Sequence, residues 1–245
     1  MIISGWNKRY SEILHEFKYS EKQDTESAII LDSILRKTVS IKKISEKIKG
    51  KTVFVIGAGP SLSLAIPVLK NFKKAVKIVA DSAVKPLVEN GIKPDIVVTD
   101  LDGDEDSLIK VGKTNSILVV HAHGDNIAKL YLAENFKNCI GTTQSKPFKN
   151  IQNFGGFTDG DRAVFLASYF DAKKIILFGM DFGGKIGKHS QTKAIQRKIK
   201  LKKLRKGKLL LEWLSRKTRS QLFTTSSPIG GFEKITYGEL DIIIT

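Results

Sequence analysis

Cysteine is almost missing: Cys139 stands alone among 245 residues. A single thiol excludes an intrachain disulfide and any zinc site built on cysteines. Apolar runs such as 117–120 and 175–178 are far shorter than the roughly 18 residues a membrane-spanning helix needs. The opening MIISGWNKRY has neither the apolar core nor the small-residue cleavage site of a secretory signal. No Gly-x-x-x-x-Gly-Lys-Ser/Thr loop occurs, which excludes a P-loop nucleotide site, and no serine sits in a Gly-x-Ser-x-Gly elbow. Internal repeats and low-complexity linkers are absent too. With 41% hydrophobic and 27% charged residues, the chain is expected to be globular and cytoplasmic, and long enough to bury its own core.

What is present in excess is positive charge, +16 in all, and it is concentrated. Residues 185–219 hold 14 Lys and Arg against one acid, Glu212, so the rest of the chain is close to balance. Aliphatic residues (Ile195, Ile199, Leu204, 209–211) punctuate this segment, with Trp213 as the lone aromatic. That pattern suits an amphipathic helix docked on the domain, interrupted near Gly207, whose charge attracts polyphosphate. A nucleic-acid arm is the competing reading.

Residues 1–49 read as a small helical layer: Trp6, Tyr10, Ile13, Leu14 and Phe17 keep helical spacing, as do Ala28, Leu31, Ile34 and Leu35, then Ile41, Ile44 and Ile48. From Lys51 onward, short apolar runs (53–56, 76–80, 95–99, 117–120, 175–178) alternate with helical segments (64–72, 84–90, 126–136, 161–170). This predicts an α/β, Rossmann-like domain over 50–245, with a mostly parallel sheet and helices on both faces. Ligands of such sheets bind at the carboxyl ends of strands, so chemistry is expected in the residues just after each run.

After the first run stands Gly57-Ala58-Gly59-Pro60-Ser61-Leu62, a turn open enough for close backbone approach to phosphate, with Ser61 or Ser63 able to cap a helix. Gly57, Gly59, Pro60 and Ser61 are therefore candidate nucleotide contacts. Asp81 ends the second run; it suits a ribose hydroxyl, or else caps the next helix. The third run delivers Thr99-Asp100-Leu101-Asp102-Gly103-Asp104-Glu105-Asp106. An extended chain would put Asp100 and Asp102 on one side, where crowded carboxylates call for a hard cation such as Mg²⁺. The fourth ends in His121-Ala122-His123-Gly124-Asp125-Asn126, and alternation lets His121, His123 and Asp125 share a side, unless Asp125 or Asn126 only caps. Gly155-Gly156-Phe157-Thr158-Asp159-Gly160-Asp161-Arg162 and Gly179-Met180-Asp181-Phe182-Gly183-Gly184 each combine glycines, acids and an aromatic, suited to a flat heterocycle; capping by Asp159 or Asp161 is the alternative. With no nucleophile beside a base, a nucleotide site with carboxylate-held metal remains, which is a phosphoryl-transfer constellation.

As a set, these motifs resemble the archaeal-type 6-hydroxymethyl-7,8-dihydropterin pyrophosphokinases, within the thiamin pyrophosphokinase-like catalytic fold. The resemblance spans roughly residues 50–190 in order. It implies transfer of diphosphate from ATP to the hydroxymethyl pterin, with Mg²⁺, in methanopterin or folate biosynthesis. It places metal on Asp100, Asp102 and Asp125, and makes Asp125 or His123 the acceptor of the substrate hydroxyl proton. Asp159, Asp161 and Asp181, with Gly156, become candidates for holding the pterin. ATP and a pterin are the expected partners, a homodimer is left open and no membrane is expected. A metal-dependent nucleotide-sugar glycosyltransferase is the rival enzyme reading.

Overall fold

A computed structural model describes residues 3–35, 37–187 and 196–244. Residues 188–195, including Ile195 within the basic segment, lie outside the described residues. Eight strands form one sheet among the described residues: β1 (Thr52–Ile56), β2 (Val76–Ala80), β3 (Ile96–Thr99), β4 (Ile117–Ala122), β5 (Cys139–Thr143), β6 (Lys174–Phe178), β7 (Gln221–Thr224) and β8 (Glu233–Lys234). Their order is β5-β4-β3-β2-β1-β6-β7-β8, and every pairing is parallel. The chain winds outward from β1 to β5, then resumes on the other side of β1 with β6. The β1/β6 boundary is thus the switch point where α/β folds leave a crevice.

Strand residues alternate between two cores, as period-2 geometry requires. Val53, Val55, Ile78, Val98, Ile175 and Leu177 face one; Phe54, Ile56, Val79, Val97, Ile176 and Phe178 face the other. The first core is covered by α1 (Trp6–Phe17), α3 (Ile41–Ile48), α7 (Asp159–Tyr169) and α8 (Arg197–Leu214). The second is covered by α2 (Glu21–Ile34), α4 (Leu62–Leu69), α5 (Val84–Glu89), α6 (Glu105–Gly112) and α9 (Leu240–Ile244). The three leading helices thus share both cores with the sheet, α1 and α3 on one face and α2 on the other. No described helix is long and apolar enough to cross a membrane.

Three local expectations need correction. The segment expected to be helical over 126–136 is a 3-10 stretch, Gly124–Asn135, entered through a capping box of His123 and Asn126. The basic helix α8 runs unbroken through Gly207, because this glycine is buried where α8 crosses the start of α7. A Cβ there would stand 3.1 Å from Asp161 Oδ1, so close packing offsets the roughly 1 kcal/mol that glycine costs inside a helix. Finally, the extended conformation does not persist past Thr99: Leu101 is left-handed, with φ of 67°.

Candidate active site

A cleft of about 430 Å³ lies over the carboxyl ends of β1, β2, β3 and β6, between the start of α7 and one face of α8. Its floor is acidic. Asp81, Asp100, Asp102 and Asp159 each offer a carboxylate oxygen within 4.8 Å of the others. These residues are far apart in sequence, and local chemistry converges them. Thr99 Oγ accepts the Leu101 N–H (2.8 Å), bending the chain after β3 so that Asp100 and Asp102 both reach inward. The same hydroxyl donates to Asp81 Oδ2 (2.6 Å), which also accepts the Gly103 N–H (3.1 Å). Gly103 is obligatory, since a Cβ there would collide with Asp81 Oδ1. Asp159 heads α7 and accepts from the buried Arg162 guanidinium at 3.1 Å. The other acids of the run do not join: Asp104 caps α6 and pairs with Lys85, while Glu105 and Asp106 are exposed.

Four carboxylates so close cannot all carry charge unaided. Burial and the charge of Asp100 push the Asp81 carboxyl up to about 7. The charge of Asp100, then burial, push Asp102 up to about 6. Burial and Asp100 likewise hold Asp159 well above the carboxylate range, against the pull of Arg162. Asp100 goes the other way: burial raises it, but the hydrogen bond from His123, helped by the charge of Arg162, takes it well below the usual range. Buried Oδ1 atoms of Asp81 and Asp100 have no hydrogen-bond partner. An all-oxygen donor set with unsatisfied buried oxygens fits a hard divalent cation.

The histidines divide their tasks. His123 Nδ1 accepts the Asp125 N–H at 3.2 Å, which leaves the ring proton on Nε2, 3.4 Å from Asp100 Oδ2. Asn126 donates to the carbonyls of Asp100 and His121, both at 2.7 Å, and ties the ends of β3 and β4 together. Asp24 of α2 accepts the Gly124 N–H at 3.0 Å, so the N-terminal helices steady this turn. His121 lies within β4; its Nδ1 meets Thr142 Oγ at 3.2 Å, and burial keeps the ring neutral. Asp125 is not brought to the cluster. Its side chain is 63% exposed, because alternation stops where the 3-10 stretch begins.

The glycine turn is committed inward. Gly57 N–H donates to Phe178 O (2.9 Å) and Gly59 N–H to Gly179 O (2.8 Å), continuing the β1–β6 ladder. Ser61 gives both its N–H and its hydroxyl to Asp181 Oδ2, each at 2.8 Å. A Cβ on Gly59 would strike Asp181 and stand 2.6 Å from Gly179 O. Gly57, Ala58 and Gly59 line the cleft and Pro60 and Ser61 do not, so Ala58 is the loop's one backbone donor unpartnered among the described residues. Of the residues considered for a heterocycle, Asp159 and Asp181 line the cleft. Asp161 is buried as the capping-box acid of α7, accepting the Phe157 and Thr158 N–H groups at 2.6 and 2.8 Å. Gly156, with φ of 92°, lets the chain pass over the Arg162 backbone.

The model of a family described as 6-hydroxymethylpterin diphosphokinase MptE-like matches residues 30–187, from α2 to the rim of the cleft. The chain belongs to this MptE-like family. Its relatives include proteins named 6-hydroxymethyl-7,8-dihydropterin pyrophosphokinase from Methanocaldococcus jannaschii (44% identical, covering 89% of this chain and 97% of the relative), Pyrococcus furiosus (42%, 90% and 97%) and Methanothermobacter thermautotrophicus (38%, 88% and 96%). Among solved structures, the MAf glycosyltransferase from Magnetospirillum magneticum AMB-1 is similar, with a TM-score of 0.53 at 17% identity over 80% of this chain and 37% of that one. That likeness is one of fold. In this MptE-like chain, the sequence brings Asp100 and Asp102 together but gives no sign that Asp81 and Asp159 stand beside them, that Asn126 ties their strand end to β4, or that Lys200 and Lys203 of α8 face them across the cleft.

Proposed function

We propose that the chain transfers diphosphate from ATP to 6-hydroxymethyl-7,8-dihydropterin with Mg²⁺, giving AMP and the pterin diphosphate. Identity of 38–44% with three relatives named for this activity supports the pyrophosphokinase reading. The four-carboxylate cluster at the floor of the cleft is the observation that carries the mechanism.

Asp81, Asp100, Asp102 and Asp159 would hold the cation. When bound, Mg²⁺ supplies charge stabilisation to the phosphates as the bond to the leaving AMP oxygen breaks. His123 keeps Asp100 ionised and aimed by donating from Nε2. Arg162 balances Asp159 from below. The substrate hydroxyl attacks the β-phosphorus as the bond to the α-phosphate oxygen breaks. Its proton passes to a carboxylate of the cluster, and a loose transition state asks little of that base. Asp181, anchored through one oxygen to Ser61, would accept from the pterin's N–H groups, and Phe157, Met180 and Phe182, which line the cleft with it, would offer apolar contact to the ring.

The test is incubation with ATP, Mg²⁺ and separate acceptors: the hydroxymethyl dihydropterin, thiamin, or a sugar acceptor with nucleotide sugars. AMP should appear with the pterin alone. AMP formation with thiamin, or nucleoside diphosphate release from a nucleotide sugar, would refute the reading.

A further inference from the structure

A nucleoside triphosphate brings about four negative charges to a cleft whose floor is already acidic. Something beyond a single divalent cation must offset them, and the glycine turn cannot do much: its Gly57, Gly59 and Ser61 N–H groups are bonded to β6, Gly179 and Asp181. Among the described residues, the cationic side chains lining the cleft are Lys185, Lys200 and Lys203, two of them on α8.

We propose that Lys200 and Lys203 form a polyphosphate clamp, gripping the triphosphate from the roof of the cleft while the carboxylates hold its metal from the floor. The proposal rests on the nucleotide-dependent reading above and adds the residues that bind the phosphates. Ile199, Lys200, Lys203, Leu204 and Gly207 fall on one helical stripe, and the first four line the cleft. The helix is pinned in that rotation. Gly207 is buried against Asp161 and Thr158, and Lys202 and Lys206 hold α1 through Glu16 and Glu12 (3.8, 3.1 and 3.6 Å). Lys202 also donates to the Glu16 carbonyl at 2.7 Å. Lys203 Nζ lies over the rings of Tyr19 and Phe157 at 5.5 and 5.9 Å, which hold the ammonium without neutralising it. Among the described residues neither Lys200 nor Lys203 has an ion pair within 4.0 Å, so both charges are available.

Inorganic tripolyphosphate with Mg²⁺ is the probe, because it carries the phosphates without base or pterin. Calorimetric titration would compare the native chain with Lys200→Gln/Lys203→Gln, with Lys200→Arg/Lys203→Arg, and with Lys198→Gln/Arg205→Gln, whose side chains are exposed on the far side of the same helix. All four proteins remove or retain charge on one helix, and unfolding midpoints check that each is folded. The expected result is about tenfold weaker binding per lysine lost from the clamp. Near-native affinity should persist in the arginine pair and in the Lys198/Arg205 control. In turnover, the glutamine pair should raise KM for ATP far more than KM for the pterin. Equal weakening in the clamp variant and the control would mean nonspecific attraction and overturn the proposal; so would absence of binding by the native chain or unchanged binding in the glutamine pair. If the native chain makes no AMP from the pterin yet binds tripolyphosphate through these lysines, the acceptor reading falls and the clamp stands. If it turns over the pterin and the glutamine pair keeps its ATP KM, the clamp falls and the acceptor reading stands.

Discussion

Two strand ends, after β1 and after β3, carry conspicuous motifs, and they use their residues in opposite ways. The glycines after β1 turn their N–H groups onto β6 and pack so tightly against residues 179–181 that a methyl group does not fit. The acids after β3 leave Asp100 Oδ1 unsatisfied and gather two more carboxylates from other elements, one of which, Asp81, also keeps an unpartnered oxygen. One motif has closed on the protein; the other stays open to a ligand. Residue type announces both, but only the hydrogen-bond partners separate the one that closes on the fold from the one that keeps oxygens free in the cleft.

The largest effect should come from the open motif. Asp100→Asn or Asp102→Asn should lower turnover at least about a hundredfold, the scale of losing an electrostatic group at a phosphoryl-transfer centre. The unfolding midpoint should hold or rise in Asp102→Asn, because a like charge leaves a crowded cluster, and should fall in Asp100→Asn, which gives up the partners that favour its charge. Turnover within about threefold of native in both variants, measured at limiting Mg²⁺, would make the acidic turn a solvated loop that caps α6 and nothing more.

The closed motif should answer in stability. Gly59→Val forces side-chain atoms into Asp181 and Gly179 O, an overpacking that costs about 1–3 kcal/mol. In a chain of this size that lowers the midpoint by roughly 3–10 °C. A variant with native stability and a raised ATP KM would show that the turn faces phosphate after all.

The same contrast explains how much is legible in the sequence. Strands β1 to β4 and β6 are visible as apolar β-rich runs, and Asp100 and Asp102 as a dense acidic cluster at one strand end. Asp81 and Asp159 cannot be joined to them from residue order, because their convergence depends on the left-handed Leu101 and on Thr99 bonding two partners at once. Strands β7 and β8, of four and two residues, carry too little pattern to register. Gly207 looks like a helix breaker because its compensation, contact with Asp161, lies 46 positions away in the sequence.

Protonation offers a subtler test of the open cluster. Asp81 and Asp102 hold protons up to about 7 and 6 when folded, against an ordinary 3.8. The folded state therefore binds more protons than the unfolded one between about pH 4 and 7, and metal-free stability is lost as pH rises through that window. Asp100 has the opposite sign, but its contribution falls below that window. In chelator-treated protein, the midpoint of the native chain relative to Asp102→Asn should decline from pH 5 to 7. Mg²⁺ at pH 7 should restore more stability to the native chain than to the variant. A difference independent of both pH and Mg²⁺ would mean that these carboxylates neither share protons nor meet a cation.

The smallest effect is expected at Asp125, which the sequence groups with Asp100 and Asp102. Its side chain is 63% exposed and lies 3.9 Å from His123 Nδ1, on the side of the ring away from Asp100. What positions His123 is the Asp125 N–H, which any residue but proline supplies. Asp125→Ala should therefore leave turnover within about threefold of native and Mg²⁺ dependence unchanged, since exposed ion pairs contribute little. Asp125→Pro removes the donor itself, frees the ring to change tautomer, and should cost much more by releasing Asp100. If the alanine variant lost activity as Asp100→Asn does, the cation would extend toward β4, and Asp125 rather than Asp81 or Asp159 would complete its shell.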